Sequence, residues 1–348
     1  MSADLKPCRA PARRVLPAVE VVLLALALLV PLTVEDYLVA LATKTLILAL
    51  LALSFDLVWG YAGIMSFGQS VFFGVAGYVA AVLARDLGVT SGLLVLPLVG
   101  LVGALLALLL ACLLILGRRP ASMIFVALGT LTAAYATERL ARGWSFVGGQ
   151  NGIPSIPPLT LGGHDLMPGT QFYYLALVLL VVAYAACRWV VRSPFGLALA
   201  GLRESESRIA FFGYRVQHLK AIVFSLAGGV AGLGGGLYAF HEGFVWPNML
   251  GVVLGTQAVL YVLLGGTGTL VGAVLGTAAI EALSFVLADR FQDSWPILLG
   301  TLLLVVVLFR PAGLVSLLAG ERERVGRFDR NFRRSKEHDY PVGSTRTS

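Results

Sequence analysis

Ten long apolar runs, separated by charged residues, glycine and proline, constrain the fold of this chain more than any other feature of its sequence. A membrane-spanning helix needs about 20 apolar residues, because each residue rises about 1.5 Å and the hydrocarbon core is roughly 30 Å thick. The runs occupy residues 17–34, 38–59, 65–84, 92–116, 121–141, 172–191, 216–240, 251–265, 270–288 and 295–309. They predict an all-α protein, a polytopic transmembrane helical bundle of about ten spans with some broken helices.

The composition excludes an ordinary soluble protein. Charged residues make up 13% of the chain and hydrophobic residues 58%, whereas soluble domains carry about 25% charged residues. The three cysteines, Cys8, Cys112 and Cys187, are scattered and include no CxxC pair. We therefore expect neither a disulfide framework nor a zinc site.

Two of the runs have features of interrupted helices. The run 65–84 opens with the polar and small residues Ser66, Gly68, Gln69 and Ser70, and the run 251–265 is short for a complete span. Non-helical backbone at membrane depth is tolerated only where protein or a water-filled cavity surrounds it. Both runs are therefore candidates for broken or re-entrant helices.

The distribution of Lys and Arg predicts the orientation. Four lie before the first span, a pair lies at 118–119, six lie between Arg188 and Lys220, and nine lie between Arg310 and Arg346. With ten spans and both termini in the cytoplasm, all four clusters fall on the cytoplasmic side, as the positive-inside rule requires. Membrane topology therefore explains the net charge of +7, and we expect no nucleic acid partner.

This topology divides the chain into three parts. We predict a cytoplasmic N-terminal segment at 1–16, a transmembrane domain at 17–310 and a cytoplasmic basic tail at 311–348. Within the transmembrane domain, the connection 143–170 contains no Lys or Arg and is assigned to the outer side.

Motifs of a catalytic site are missing from the sequence. It contains no GxxxxGK[ST] loop, no HExxH and no GxSxG, and its four histidines lie far apart. Active transport would therefore draw its energy from an ion route within the bundle or from another polypeptide. The candidates for such an ion route are Lys44, Asp56, Glu138 and Glu281. Each lies near a predicted span end, which favours an interfacial or structural role over a proton relay.

The connection from Ser193 to Lys220 predicts a short amphipathic helix outside the bilayer. Its apolar residues recur at helical spacing, and charged residues fall on the opposite face. Gly213 would end this helix. The apolar face comprises Phe195, Leu199, Leu202, Ile209 and Phe212, and the polar face comprises Arg203, Glu204, Ser207 and Arg208.

The sequence resembles the LivM-type permease subunits of bacterial branched-chain amino acid ABC importers over most of its length. Three blocks carry the resemblance: WGYAGIMSFGQSVFFGVAGYVAAVL from Trp59, GGQNGI at 148–153, and SPFG, LRESE, FGYRV and GGVAGLGGGLYA in order from Ser193. A weaker block, LLGGTGTLVGAVLG, occupies 263–276. The chain departs from the family pattern at Gln69, where members often have His, and at Phe211 and Phe212, where many members have smaller or more polar residues.

The resemblance implies a non-catalytic, multi-pass subunit of the bacterial inner (plasma) membrane that forms half of a translocation pathway. Its implied partners are a LivH-like second permease, two ATP-binding subunits and an extracytoplasmic solute-binding protein. ATP and Mg²⁺ would bind to the ATP-binding subunits, and this chain would bind no cofactor or metal. The segment 197–213 would be the cytoplasmic coupling helix that contacts the ATPase, through Arg203, Glu204, Glu206, Arg208 and Gly213.

Two blocks are candidates for the substrate pathway, because interrupted helices expose backbone donors and carbonyls that can replace water around a solute. In the GGQNG loop, glycines permit a tight turn and the amides offer neutral donors and acceptors. The candidate residues are Ser66, Gln69 and Phe72 in the first block, and Gly149, Gln150 and Asn151 in the second.

Glycines at intervals of four residues predict close helix packing, as in GxxxG contacts. They are Gly228, Gly232 and Gly236 in the seventh span, and Gly268, Gly272 and Gly276 in the ninth. Packing within the same bundle is the default expectation, and packing against the second permease is the alternative.

Three functions remain open from the sequence. The first is import of branched-chain or related aliphatic amino acids. The second keeps the fold but transports urea or short amides, because urea permeases of the same superfamily have a start similar to Asp56–Tyr61 here. The third is an ion-coupled secondary carrier or channel that needs no ATPase.

Overall fold

The computed structural model describes residues 15–116, 123–288 and 300–301. Nine of the ten apolar runs coincide with its helices, and the tenth run, 295–309, lies outside the described residues except at 300 and 301. Most of the segment 1–16 and the tail 311–348 also lie outside them. The helices are α1 (Val15–Thr33), α2 (Asp36–Phe55), α3 (Gln69–Asp86), α4 (Gly92–Leu114), α5 (Met123–Gly143), α6 (Thr170–Arg192), α7 (Pro194–Glu204), α8 (Glu206–Phe211), α9 (Val216–Glu242), α10 (Val252–Gly265) and α11 (Leu270–Ala288).

Four of the described helices are long and apolar enough to cross a membrane: α2 together with the π-helical turn that continues it to Tyr61, α4, α6 and α9. The pair α10 and α11 is bent by 111° at the break between them and adds a fifth candidate if it is one broken span. The chain is therefore an all-α, multi-pass membrane protein. The total of ten spans and the cytoplasmic location of both termini remain predictions.

The 27-residue helix α9 lies at the centre of the bundle, with α4, α3 and α2 packed around it. Its glycine seam faces α4: a Cβ added to Gly232 would lie 2.5 Å from the carbonyl oxygen of Val99 and 3.0 Å from Gly103 Cα. The hydroxyl of Ser225 donates a hydrogen bond of 3.0 Å to the carbonyl of Ala104 on the same face. The seam that includes Gly228, Gly232 and Gly236 thus packs α9 against a helix of its own chain.

The second glycine series divides between a helix and a turn. A Cβ on Gly276 would lie 2.7 Å from the backbone nitrogen of Gly265, so α11 packs closely against α10 at this point. Gly272 faces the same end of α10. Gly268, however, precedes α11 and has φ +78°, so its prediction as a helix-packing residue is wrong. It lies in the turn between the two bent helices, where a left-handed backbone conformation favours glycine.

A small hairpin in the connection 143–170 adds strand to the predicted all-α fold. Strands β1 (Leu159–Leu161) and β2 (His164–Leu166) pair antiparallel, with Leu161 opposite His164. Gly162 and Gly163 form the two-residue turn and both have positive φ, which suits a hairpin connection. The backbone N–H of Thr160 donates to the carbonyl of Thr90 at 2.9 Å, so the hairpin is attached to the start of α4.

Candidate functional site at the junction of α7 with the broken helices

The segment 197–213 was predicted as one amphipathic helix, and the structure has two. Helix α7 ends at Glu204, and α8 begins at Glu206. Ser205 between them has an extended backbone, with φ −163° and ψ 111°. The apolar spacing therefore continues across a break that the sequence pattern did not indicate.

The two short helices bury most of the predicted apolar face. Leu199, Leu202 and Ile209 are buried, and Leu199 and Leu202 belong to the main hydrophobic core. The assignment of Phe212 to this face is wrong, because its side chain is 78% exposed and that of Phe211 is 95% exposed. The break at Ser205 turns the end of α8 away from the bundle. An aromatic pair is thus presented on the surface of the α7–α8 segment.

The charged residues of this segment fall into two groups. Arg203 donates a hydrogen bond from Nη1 to the carbonyl oxygen of Gly60, and Glu206 forms an ion pair with Lys220 at the start of α9. These two side chains therefore attach α7 and α8 to the bundle. Glu204 and Arg208 are exposed. Gly213 follows α8 with φ +84°, as a residue that ends a helix commonly does.

The carbonyl that Arg203 contacts belongs to a π-helical turn, Asp56–Tyr61, at the end of α2. Asp56 is fully buried, and its Oδ1 accepts a hydrogen bond of 2.7 Å from the backbone N–H of Gly268. A Cβ on Gly60 would lie 2.5 Å from that same nitrogen. One turn of α2 therefore contacts α7 on one side and the turn between α10 and α11 on the other. We call Asp56, Gly60, Arg203 and Gly268 the junction.

Helix α3 begins only at Gln69, because residues 62–68 leave the helical conformation after the π-helical turn. Ser66 Oγ accepts a hydrogen bond of 3.1 Å from the backbone N–H of Gly68. Gln69 Oε1 accepts one of 3.4 Å from Ser54 Oγ. The Nε2 of Gln69 is buried and has no hydrogen-bond partner among the described residues. A buried, unpaired donor thus lies at the start of this helix, whereas Phe72 packs edge to face on Phe224 in the core, with ring centroids 5.7 Å apart.

The start of α10 faces the start of α3. Ser70 Oγ lies 3.4 Å from the carbonyl oxygen of Leu250, the last residue of the 3₁₀ turn Pro247–Leu250 that precedes α10. A Cβ on Gly255 would lie 3.1 Å from the carbonyl of Phe67. Helix N-termini carry unpaired N–H groups and a partial positive charge, so two of them in proximity favour an anionic group.

The GGQNG loop lies in the connection between α5 and α6. Gly149, Gln150 and Asn151 form a single 3₁₀ turn, in which the two amide residues are exposed. The loop is anchored where Ile153 and Val245 exchange two backbone hydrogen bonds, of 2.9 and 3.1 Å. The structure therefore attaches this loop to the segment that connects α9 to α10.

The other three candidates for an ion route have partners. Lys44 Nζ lies 3.2 Å from Glu242 of α9, and Glu138 Oε1 accepts a hydrogen bond of 2.7 Å from Arg142. The hydroxyl of Tyr261 donates a hydrogen bond of 2.5 Å to Glu281. Among residues 15–116, 123–288 and 300–301, no group of three or more His, Cys, Asp or Glu side chains could hold a metal ion. These contacts agree with structural roles for the buried charges.

The sequence analysis missed the junction itself. Arg203 is exposed, as its place on the polar face predicts, but neither its contact with Gly60 nor that of Asp56 with Gly268 was expected. The sequence offered only one indication of it. WGYAG, LRESE and LLGGTG all belong to the blocks that resemble the permease family, and they occur in the same order. The structure brings one residue or more of each block into contact.

The chain is similar to known permease proteins over most of its length. The family model described as the branched-chain amino acid transport system permease component matches residues 37–308. The high-affinity branched-chain amino acid transport system permease protein LivM of Escherichia coli (strain K12) is 28% identical over 320 residues, which cover 85% of this chain and 74% of that protein. A probable LivM of Methanocaldococcus jannaschii is 23% identical over 309 residues, which cover 76% of this chain and 89% of that protein.

A shorter match is to a permease that is named for a different transport system. The autoinducer 2 import system permease protein LsrC of Photorhabdus laumondii is 30% identical over 140 residues, 38% of this chain and 42% of that protein. No solved structure matches the chain. The family match at 37–308 includes α2, both halves of the α7–α8 segment and the bent pair α10 and α11. The chain therefore belongs to the family of permease components of branched-chain amino acid transport systems.

Proposed function

We propose that this chain is the membrane permease subunit of an ATP-binding cassette importer for branched-chain or related aliphatic amino acids. The observation that carries the proposal is the family match over 37–308, supported by relatives named for branched-chain amino acid transport. The chain forms half of the translocation pathway, and a LivH-like second permease forms the other half. An extracytoplasmic solute-binding protein delivers the solute. Two separate ATP-binding subunits hold ATP and Mg²⁺ and supply the energy.

The proposed location is the bacterial inner (plasma) membrane, with ten spans and both termini in the cytoplasm. The arrangement of basic clusters supports this topology, because all four then lie on the cytoplasmic side. The α7–α8 segment belongs to the third of these clusters, between Arg188 and Lys220. The junction is then at the cytoplasmic end of the bundle.

The α7–α8 segment is the proposed contact with the ATPase. Its exposed aromatic pair, Phe211 and Phe212, offers a large apolar area at the end of α8, and the exposed Glu204 and Arg208 offer charges beside it. Aromatic residues that insert into a partner's pocket commonly supply most of the binding energy of an interface. Glu206 and Arg203 attach the segment to the bundle, through Lys220 and Gly60.

The proposed solute pathway passes the facing starts of α3 and α10. The buried, unpaired Nε2 of Gln69 supports this location, because such a donor is stabilised when a ligand oxygen accepts from it. The carboxylate of an amino acid also suits the N-termini of two broken helices. Gly149, Gln150 and Asn151 are proposed to line the outer entrance, where the two amides are exposed.

Purification from the native membrane, followed by reconstitution, tests the function. The tagged chain is expected to co-purify with a second permease and an ATP-binding subunit, and proteoliposomes are expected to take up leucine only with ATP and the solute-binding protein. Uptake of urea in preference to leucine would favour the second function considered from the sequence. Uptake that needs no ATPase and disappears with the ion gradient would favour an ion-coupled carrier.

Charge reversal tests the ATPase contact. Glu204→Lys and Arg208→Glu are expected to abolish co-purification of the ATP-binding subunits and to leave membrane insertion unchanged. Asp165→Lys is the matched control, because it reverses an exposed charge in the β-hairpin. Retention of the ATPase by both α7–α8 variants would contradict the assignment.

A further inference from the structure

The burial of the Asp56 carboxyl group requires an explanation. Asp56 is fully buried, and only its Oδ1 is paired; Oδ2 has no hydrogen-bond partner among the described residues. Burial of a charged group is unfavourable unless partners compensate it, and ionisable residues retained in membrane helices usually serve a function. Asparagine at this position would accept the same hydrogen bond from Gly268 without a charge. The carboxyl group is therefore the feature that requires an explanation.

The geometry around Asp56 is a chain of two contacts across one helical turn. Arg203 of α7 donates to the carbonyl of Gly60, and Asp56, one turn earlier, accepts from the backbone N–H of Gly268. A Cβ on Gly268 would lie 3.0 Å from Arg203 Nη1, so the two ends of the chain of contacts are themselves in proximity.

The elements on the two sides of this turn differ in what they can do. Helix α7 belongs to the surface segment that we propose as the ATPase contact. The turn at Gly268 separates α10 and α11, which meet at 111°, and α10 begins beside the start of α3. The turn Asp56–Tyr61, which lies between α7 and the turn at Gly268, is π-helical, a conformation with one extra residue that occurs often at functional sites. The contacts on the two sides of this turn are close, so a displacement of α7 would reach the bent pair through them.

We propose that Arg203 and Asp56 are positioning residues that transmit movement of the α7–α8 segment to the turn at Gly268, and so set the angle between α10 and α11. The proposal rests on the proposed function and adds a specific route within the chain. Packed interfaces with close contacts respond to a displacement as units, so a sub-ångström shift at α7 is passed on to α10. Loss of the link separates ATP hydrolysis from solute movement without removing either partner.

The test measures leucine uptake and ATP hydrolysis in proteoliposomes that contain the complete importer. Asp56→Ala and Arg203→Gln are expected to lower the number of solutes moved per ATP hydrolysed about tenfold, within the usual range of coupling between sites. ATP hydrolysis itself is expected to change little. Asp56→Asn keeps the acceptor for Gly268 and is expected to recover part of the ratio. Asp36→Ala, at the other end of α2, and Arg192→Gln, at the end of α6, are the matched controls.

The ratio separates this role from a merely structural one. A structural defect lowers the amount of assembled complex and reduces uptake and hydrolysis in proportion, which leaves the ratio unchanged. A wild-type ratio in assembled Asp56→Ala and Arg203→Gln complexes would overturn the link. If the wild-type complex itself shows no ATP-dependent uptake, the proposed function fails first.

A distance measurement tests the proposal even if the complex with Asp56→Ala does not assemble. Spin labels at the exposed residues Val253 of α10 and Val286 of α11 report the angle of the bent pair. The distance between them is expected to change when ATP is added to the wild type, to change less in Asp56→Asn, and to stay fixed in Arg203→Gln. The same nucleotide-dependent change in both variants would also overturn the link.

Discussion

Asp56 Oδ1 accepts a hydrogen bond of 2.7 Å from the backbone N–H of Gly268, although 212 positions separate the two residues in the chain. The bond joins the end of α2 to the turn between α10 and α11. Gly268 can donate in this way because its backbone adopts φ +78°, a conformation that glycine permits and other residues disfavour. The broken helix pair is therefore held at its bend by a side chain from a different part of the sequence.

Gly268→Ala is expected to abolish uptake. The left-handed backbone alone makes alanine about 1 to 2 kcal/mol less favourable, and the added Cβ would also lie 3.0 Å from Arg203 Nη1. Gly88→Ala is the matched control, because Gly88 has φ +62° and no atom within 4 Å of an added Cβ. Thermal unfolding is expected to show the backbone effect in both variants, and uptake assays a loss only in Gly268→Ala. Equal uptake in the two variants would contradict this prediction.

The glycine seam between α4 and α9 predicts a pair of opposite outcomes. Gly232→Ala is expected to lower the free energy of unfolding by about 1 to 3 kcal/mol, because its Cβ would lie 2.5 Å from the carbonyl of Val99. Gly229→Ala adds a Cβ at an ordinary contact distance of 3.5 Å from Ala104. It is expected to be neutral or to stabilise the helix by up to about 1 kcal/mol. Unfolding by heat in detergent distinguishes them, and similar midpoints would argue against the seam.

A disulfide tests whether that seam lies within one chain. A Cβ at Gly229 lies 3.5 Å from the Cβ of Ala104, at the short end of the range of about 3.5 to 4.5 Å found in disulfides. In a chain without its native cysteines, Ala104→Cys with Gly229→Cys is expected to cross-link α4 to α9. Cleavage at a protease site inserted at the exposed Gly162 then leaves the two fragments joined until reductant is added. The control is Leu105→Cys with Gly229→Cys. Leu105 is exposed, so this pair is expected to remain unlinked.

The ion pair of Glu206 with Lys220 predicts a stability difference within the α7–α8 segment. The Lys220 side chain is only 6% exposed, so loss of the Glu206 charge leaves a nearly buried ammonium group without its counter-charge. Glu206→Gln is therefore expected to lower the free energy of unfolding by about 1 to 3 kcal/mol. Glu204→Gln, at an exposed position, is expected to change it by less than about 0.5 kcal/mol. Calorimetry of the purified chain measures the free energy of unfolding of both variants. Equal effects would contradict a structural role of Glu206.

The hydrogen bond from Tyr261 to Glu281 predicts how the chain responds to loss of an intramembrane charge. Glu281→Gln keeps an oxygen that accepts from the Tyr261 hydroxyl. It is expected to retain uptake within about twofold, because the role of this residue is to hold α10 against α11 and not to transfer protons. Uptake is also expected to persist when a protonophore removes the proton gradient and ATP is supplied. Loss of uptake in both experiments would instead indicate an ion-coupled carrier.

The sequence alone determined the helices and the membrane environment. Apolar length and helical spacing are local properties, so nine of the ten runs coincide with helices in the described part of the chain. The polar and small residues Ser66, Gly68 and Gln69 indicated that the helix after α2 is interrupted, and residues 62–68 are indeed non-helical. The motif blocks indicated the family, and the family match at 37–308 confirms it.

Tertiary structure decided the details of the candidate site. The break at Ser205, the exposure of Phe212 and the turn position of Gly268 depend on which elements pack together, and helical periodicity indicates a buried face but not its partner. The contacts of Arg203 with Gly60 and of Asp56 with Gly268 join residues 143 and 212 positions apart. Such hydrogen bonds form only when separate helices are brought together, so no local pattern could identify them.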